Sequence, residues 1–123
     1  MNNNAVRAQS LKKRWAFKQV YSQGRYAADG LFVVYALAND AVVNRLGITV
    51  SKKVGNAVVR NRVKRWLKES FRLLEATMVA QDKMYDFVIV ARAPAGKLTR
   101  AGAFIKVNAS LNRLFRKLGT ELI

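Results

Sequence analysis

Residues 52–72 read KKVGNAVVRNRVKRWLKESFR, eight basic side chains and one acid, Glu69, threaded through Val, Trp, Leu and Phe. Laid out at 100° per residue with Arg60 at zero, Arg60, Lys64, Lys68, Asn61, Arg72, Arg65 and Arg62 occupy an arc of roughly 0–200°. Leu73, Trp66, Val63, Leu74, Leu67 and Phe71 fill the arc of roughly 220–380°. The spacing predicts a helix to about residue 78, one face packed on a sheet and the other a cationic ridge. Lys64, Lys68 and Arg72 are like charges at i, i+4 intervals, each pair costing about 0.2–0.5 kcal/mol in an isolated helix. A helix shaped only for solubility alternates its signs, and this one does not. Gly55 and Asn56 stand just before it, where free backbone N–H groups suit a phosphate and where an ordinary helix cap would also fit.

The rest of the chain sets the context for that ridge. Its 123 residues are enough for one domain with a hydrophobic core, and 51% apolar composition with a single Pro argues against disorder. Net charge is +16, from 23 Lys/Arg against seven Asp/Glu. Such an imbalance repels itself in a compact state and makes sense when a polyanion neutralises it. Nucleic acid is the first candidate and anionic membrane the second. The absence of Cys and His excludes disulfides, thiolate sites, Cys nucleophiles and the usual near-neutral acid/base. The longest apolar run, LFVVYALA at 31–38, is strand-sized and far short of the roughly 20 residues of a membrane span. MNNNAVRAQSLKKRW at the N-terminus is polar and basic without an apolar signal core, so a cytoplasmic protein without a membrane partner is expected.

Working outward, residues 1–10 show no periodicity and are expected to fray. RWAFKQVYSQ (14–23) predicts a short helix ended by Gly24, with Phe17, Val20 and Tyr21 on one face. RYAADG (25–30) is a short strand turning at Asp29-Gly30 into the strand 31–38. VNRLGITVS (43–51) alternates as a half-buried strand, and YDFVIVAR (85–92), nearly all apolar, belongs at the centre of the sheet. After Pro94, Thr99 is placed to cap a last helix to about Leu118, whose apolar face of Phe104, Leu111, Phe115 and Leu118 is interrupted by Asn108. The expected architecture is a single α+β domain over 1–123, ordered αβββαβα, with helices packed on a four-stranded sheet.

Two constellations carry chemistry. The basic ridge points to nucleic acid, with Arg suited to forked phosphate contacts and to stacking on bases. Tyr35 shares a strand face with Leu31, Val33 and Leu37; if the first helix lies on that face, Phe17, Tyr21 and Tyr35 flank a cleft with Arg14 and Lys18 beside it. Aromatic rings so placed bind single-stranded nucleic acid by base stacking. Taken alone, they read better as ordinary core aromatics. Phe32 and Phe87 are assigned to the core.

The ordered run of Lys53, Gly55, Ala57, Val58, Arg60, Asn61, Arg62, Lys64 and Arg65 resembles the RNR signature of the bacterial ribonuclease P protein component. GITVSKK before it, DFVIVAR and Pro94 after it, and the Phe17–Tyr21 helix ahead of it match the same family, so the resemblance spans roughly residues 11–118. It implies a subunit that assists a catalytic RNA in removing the 5′ leader of precursor tRNA and cuts nothing itself. No protein-borne catalytic residue is therefore expected. By position it implies that Lys52, Lys53, Arg60, Asn61, Arg62, Lys64, Arg65 and Lys68 face the catalytic RNA. It places the single-stranded leader at Phe17, Tyr21 and Tyr35, with Arg14 and Lys18 alongside, and so favours the cleft over the core reading. It further implies a left-handed β-α-β crossover against the usual hand. Mg²⁺ is expected in the holoenzyme mainly at RNA phosphates, and no protein partner is implied. Lys68 stands where the family commonly has Arg, and Ala16 where an acid is common. Rival readings are a general RNA-binding module, a metal nuclease built on Asp82 and Asp86, and a basic helix lying on anionic lipid.

Overall fold

The computed structural model describes residues 8–77 and 83–119. The first helix, α1, spans Arg14–Gln23, the bounds its pattern predicts, and buries Ala16 and Val20. Five strands form one sheet: β1 (Gln9–Ser10), β2 (Arg25–Ala28), β3 (Phe32–Asn39), β4 (Arg45–Thr49) and β5 (Met84–Ala91), in the order β1-β4-β5-β3-β2. β3 runs antiparallel to β2 and β5, while β4 is parallel to both β1 and β5. The second helix, α2 (Ala57–Glu75), is the crossover joining parallel β4 and β5. A 3-10 turn at Ala93–Lys97 leads to α3 (Arg100–Leu118).

Strand β5 is central, as its apolar run predicts, and Phe87, Val88 and Ile89 are buried on both of its faces. Beneath one face α2 and α3 pack together; Val63, Leu67, Phe71, Val107, Leu111 and Phe115 meet Phe32, Val34, Phe87 and Ile89 there. On the other face α1 sits over β3 and β5, closing a smaller cluster of Leu11, Ala16, Val20 and Val88. The molecule is thus three layers thick, with α1 and α2 on opposite faces of the same sheet.

The structure corrects the expectation of a four-stranded sheet with residues 1–10 frayed. Residues 1–7 lie outside the described part, but Gln9 and Ser10 add a fifth strand at the edge. Gln9 N–H donates to the Asn44 carbonyl and Leu11 N–H to that of Leu46, both at 2.9 Å. A strand of two exposed residues has no hydrophobic period to read, and it exists because β4 offers an unpaired edge. Leu73 is also corrected. It lies at about 220°, one margin of the apolar arc, and is 39% exposed, whereas Val63 and Leu67 nearer the centre are buried. Helix α2 ends at Glu75, and residue 78, its expected end, lies outside the described residues.

Helix α3 begins less regularly than the Thr99 cap predicts. Thr99 occupies the N-cap position without a side-chain cap hydrogen bond, and Gly102 at φ 72° kinks the first turn. That left-handed conformation is one that glycine adopts without strain. The polar interruption at Asn108 has a partner. Ser70, fully buried on α2, donates its hydroxyl hydrogen bond to Asn108 Oδ1 at 2.7 Å, so the two polar groups of the helix interface satisfy each other.

Candidate nucleic-acid interface

Helix α2 starts on Asn56, whose Oδ1 accepts the Val59 N–H at 3.0 Å. An ordinary N-cap is therefore present, and it fixes where the first turn, and with it the ridge, begins. Lys52 and Lys53 are exposed in the turn leading to it. Along the helix, Asn61, Arg65 and Lys68 are exposed, while Arg60, Arg62 and Lys64 are half-buried. Arg60 donates through Nε to the Gly55 carbonyl at 3.1 Å, which steadies the side chain while other guanidinium N–H groups remain to donate. The Arg62 guanidinium lies over Trp66, 5.5 Å from the ring centroid. That cation–π contact explains why Trp66, near the margin of the apolar arc, is half-buried rather than exposed.

Glu69, the one acid within the basic run 52–72, pairs with Arg72 at 2.6 Å. The hydrogen bond from Arg72 holds the Glu69 carboxyl below its ordinary range, and the same bond raises the Arg72 guanidinium. This exchange neutralises Arg72 and leaves Arg60 to Lys68 as a field of one sign.

On the other face of the sheet the rings predicted to flank a cleft do come together. The Phe17 and Tyr21 centroids are 6.5 Å apart, and Tyr21 meets Tyr35 edge-on at 5.0 Å. Tyr21 is further fixed by a 2.9 Å hydrogen bond between its hydroxyl and Thr49 Oγ1 on β4. Phe17 rests on Gly47 of β4, where a Cβ would lie 2.5 Å from ring atoms Cε2 and Cζ. The glycine thus makes the seat for the ring. Arg14 and Lys18 are exposed on the flank of α1 within about 60° of Tyr21. Phe32 and Phe87, assigned to the core, are buried there.

Sequence reasoning missed Tyr26. It sits opposite Tyr35 in the β2–β3 register, with its ring 5.7 Å from that of Tyr35 and 66% exposed. The sequence points to a different register: a two-residue turn at Asp29-Gly30 pairs residues whose numbers sum to 59, whereas Ala28 pairs with Val33, and only this sum of 61 sets Tyr26 against Tyr35. That turn is held by Asp29, which accepts the N–H groups of Leu31 and Phe32 and contacts from Ser110 and Arg113 of α3. Burial raises the Asp29 carboxyl, but these hydrogen bonds outweigh it and its pKa is lowered. The rings form one row, from Phe17 over β4 through Tyr21 and Tyr35 to Tyr26 on edge strand β2.

A groove of about 500 Å³ along the β1–β4 edge joins the two constellations, with Phe17 and Gly47 on its lining together with Lys64, Lys68 and Arg72 of α2. The Phe17 end of the row therefore adjoins the basic helix, and Tyr26 is the far end.

The acids offer little to a metal ion. Among the described residues no group of three or more could hold one. Asp86 is 5% exposed and accepts from Arg45 at 2.7 and 3.0 Å and from Asn39 at 2.7 Å. It serves as the internal counter-charge of the central strand rather than as a metal ligand; Asp82 lies outside the described residues. Asp29, Glu69 and Asp86 are each engaged by a guanidinium. No described helix is long and apolar enough to cross a membrane, and the apolar face of α2 is already occupied by the sheet and α3.

Comparison with known proteins agrees with this geometry. The family model "Ribonuclease P" matches residues 6–119. The ribonuclease P protein component of Clostridium kluyveri is 42% identical over 109 residues, covering 89% of this chain and 93% of its own. That of Caldanaerobacter subterraneus subsp. tengcongensis is 47% identical over 107 residues, covering 87% and 86%. The solved structure of the Staphylococcus aureus RNase P protein superposes with a TM-score of 0.78 at 34% identity, covering 94% of this chain and 99% of that one.

Proposed function

The chain belongs to the bacterial ribonuclease P protein family and is the protein component of that ribonucleoprotein, an associate of its RNA; from this premise we propose that its two faces divide the work. Helix α2 offers Lys52, Lys53, Arg60, Asn61, Arg62, Lys64, Arg65 and Lys68 to the catalytic RNA. Phe17, Tyr21 and Tyr35 take the single-stranded 5′ leader of precursor tRNA, with Arg14 and Lys18 near its phosphates. The observation that carries this reading is the row of rings on the sheet face opposite the basic helix, reached from it through the groove at the β4 edge.

The mechanism is binding and positioning. Two polyanions repel each other, and a protein at +16 lowers the cost of bringing them together. Only a precursor has a leader to stack on the rings, so the cleft adds affinity for substrate over the matured product. Cleavage chemistry is left to the RNA, whose phosphates would hold the Mg²⁺ that the holoenzyme requires. The chain's residues hold the two RNAs and exclude misaligned approaches. The compartment this implies is the cytoplasm.

Reconstitution tests the reading. Added to a bacterial ribonuclease P RNA at low Mg²⁺, the protein is expected to restore 5′ maturation, and the protein alone to cleave nothing. Phe17→Ala or Tyr35→Ala should weaken holoenzyme binding of precursor and spare mature tRNA. Equal losses on both would instead point to a general RNA-binding module.

A further inference from the structure

We propose that Tyr26 is an additional stacking position of the leader site, one that takes a leader nucleotide beyond the one at Tyr35; this rests on the leader reading above. Three observations carry it. The ring lies 5.7 Å from Tyr35 and tilted 36° to it, so it continues the row of contacting rings rather than standing apart. At 66% exposure it spends little of its surface on the fold, unlike Phe32 or Phe87, and leaves ring area free for a base. Its backbone is fixed by four register pairs to β3 and by the Asp29 turn, so the platform is rigid before a ligand arrives.

The row also has a direction. Its Phe17 end adjoins Lys64 and Lys68 of α2, the face assigned to catalytic RNA, where the scissile bond must lie. Tyr26, on the outer edge strand, is therefore the position farthest along the leader from the cut. The ring, not the hydroxyl, does the binding, because stacking needs only a π-face. The substrate preference that follows is for precursors whose leaders are long enough to reach β2, whatever their sequence.

The test is a leader-length series. Precursor tRNAs with leaders from one to about ten nucleotides, and mature tRNA, are bound to holoenzyme reconstituted with bacterial ribonuclease P RNA. Proteins compared are wild type, Tyr26→Ala, Tyr26→Leu, Tyr26→Phe and Tyr35→Ala. Tyr26→Ala and Tyr26→Leu are expected to lose about five-fold or more in affinity, only for leaders longer than the length at which Tyr35→Ala first registers, while Tyr26→Phe keeps wild-type affinity. Leu retains an apolar cross-strand contact with Tyr35, so its loss separates stacking from hairpin stability. Wild-type binding by Tyr26→Ala at every length, with Tyr35→Ala still defective, overturns the proposal and leaves the leader site standing. A Tyr26→Ala loss that is equal on mature tRNA overturns it as well, since that is a defect of folding. If Tyr35→Ala also fails to separate precursor from mature tRNA, the leader site itself falls and this position with it.

Discussion

Gly47→Ala probes the seat of Phe17 with a single methyl group. Gly47 is not among the glycines in a positive-φ conformation, so alanine suits its backbone and the only conflict is steric. The new Cβ would lie 2.5 Å from Phe17 Cε2 and Cζ, against an ordinary carbon contact of about 3.5–4.0 Å, so the ring must retreat by roughly 1 Å. Overpacking typically costs about 1–3 kcal/mol. Phe17 is half-buried on the flank of α1 and can swing outward, which puts the stability loss near the lower figure. The larger effect falls on the leader. Displacing one stacking ring removes about 1–3 kcal/mol per base, or about 5- to 150-fold in precursor affinity, with mature tRNA unaffected. The assay is equilibrium binding of both tRNAs to reconstituted holoenzyme, run as a cycle with Phe17→Ala. Because Phe17→Ala removes the obstructing ring, the double variant should be no worse than Phe17→Ala alone. Additive losses, or equal losses on mature tRNA, would refute the claim that Gly47 acts by seating this ring.

Arg65→Ala should weaken assembly with the catalytic RNA and lower the magnitude of the log–log salt slope by about one unit; an unchanged slope would argue against a phosphate contact. Ser70→Ala leaves Asn108 Oδ1 without its hydroxyl donor and is expected to cost about 1–3 kcal/mol in urea unfolding. Ser70→Ala with Asn108→Leu should recover part of that loss, and failure to recover any would mean the pair is not the cause. Stability should also fall in acid through Asp29. Its folded pKa lies below its ordinary 3.8, so the folded state holds the proton less tightly than the unfolded one. That contribution is complete above the ordinary value and is lost as pH falls through the lowered one. Asp29→Asn should flatten the stability profile below about pH 4; an unaltered profile would show that other carboxylates set it.

Much of this architecture is legible in the sequence because it is local. The bounds of α1, the central place of β5, the cationic arc of α2 and the Asn56 start all follow from periodicity and capping. The RNR run could be recognised because its residues are consecutive. What escaped depends on partners distant in sequence. Gln9 and Ser10 become a strand only because β4 has an open edge. Asn108 looks like a flaw in an apolar face until Ser70, 38 residues away, is set against it. Tyr26 acquires meaning only through its register with Tyr35. Thr99 failed as a cap because the chain kinks at Gly102 before a regular helix is established, a tertiary accommodation that no cap preference encodes.

The placement of α1 and α2 on opposite faces of one sheet has a consequence for accuracy as distinct from affinity. If one RNA is held by α2 and the leader by the rings beyond β4, the distance between them is set by the thickness of the sheet and the packing of its two layers. Close-packed layers compress little, so the sheet serves as a ruler between the grip on the catalyst and the grip on the strand to be cut. Loosening it, for instance by unpairing β4 from β5, would register as scatter in the position of the 5′ end before it registered as weaker binding.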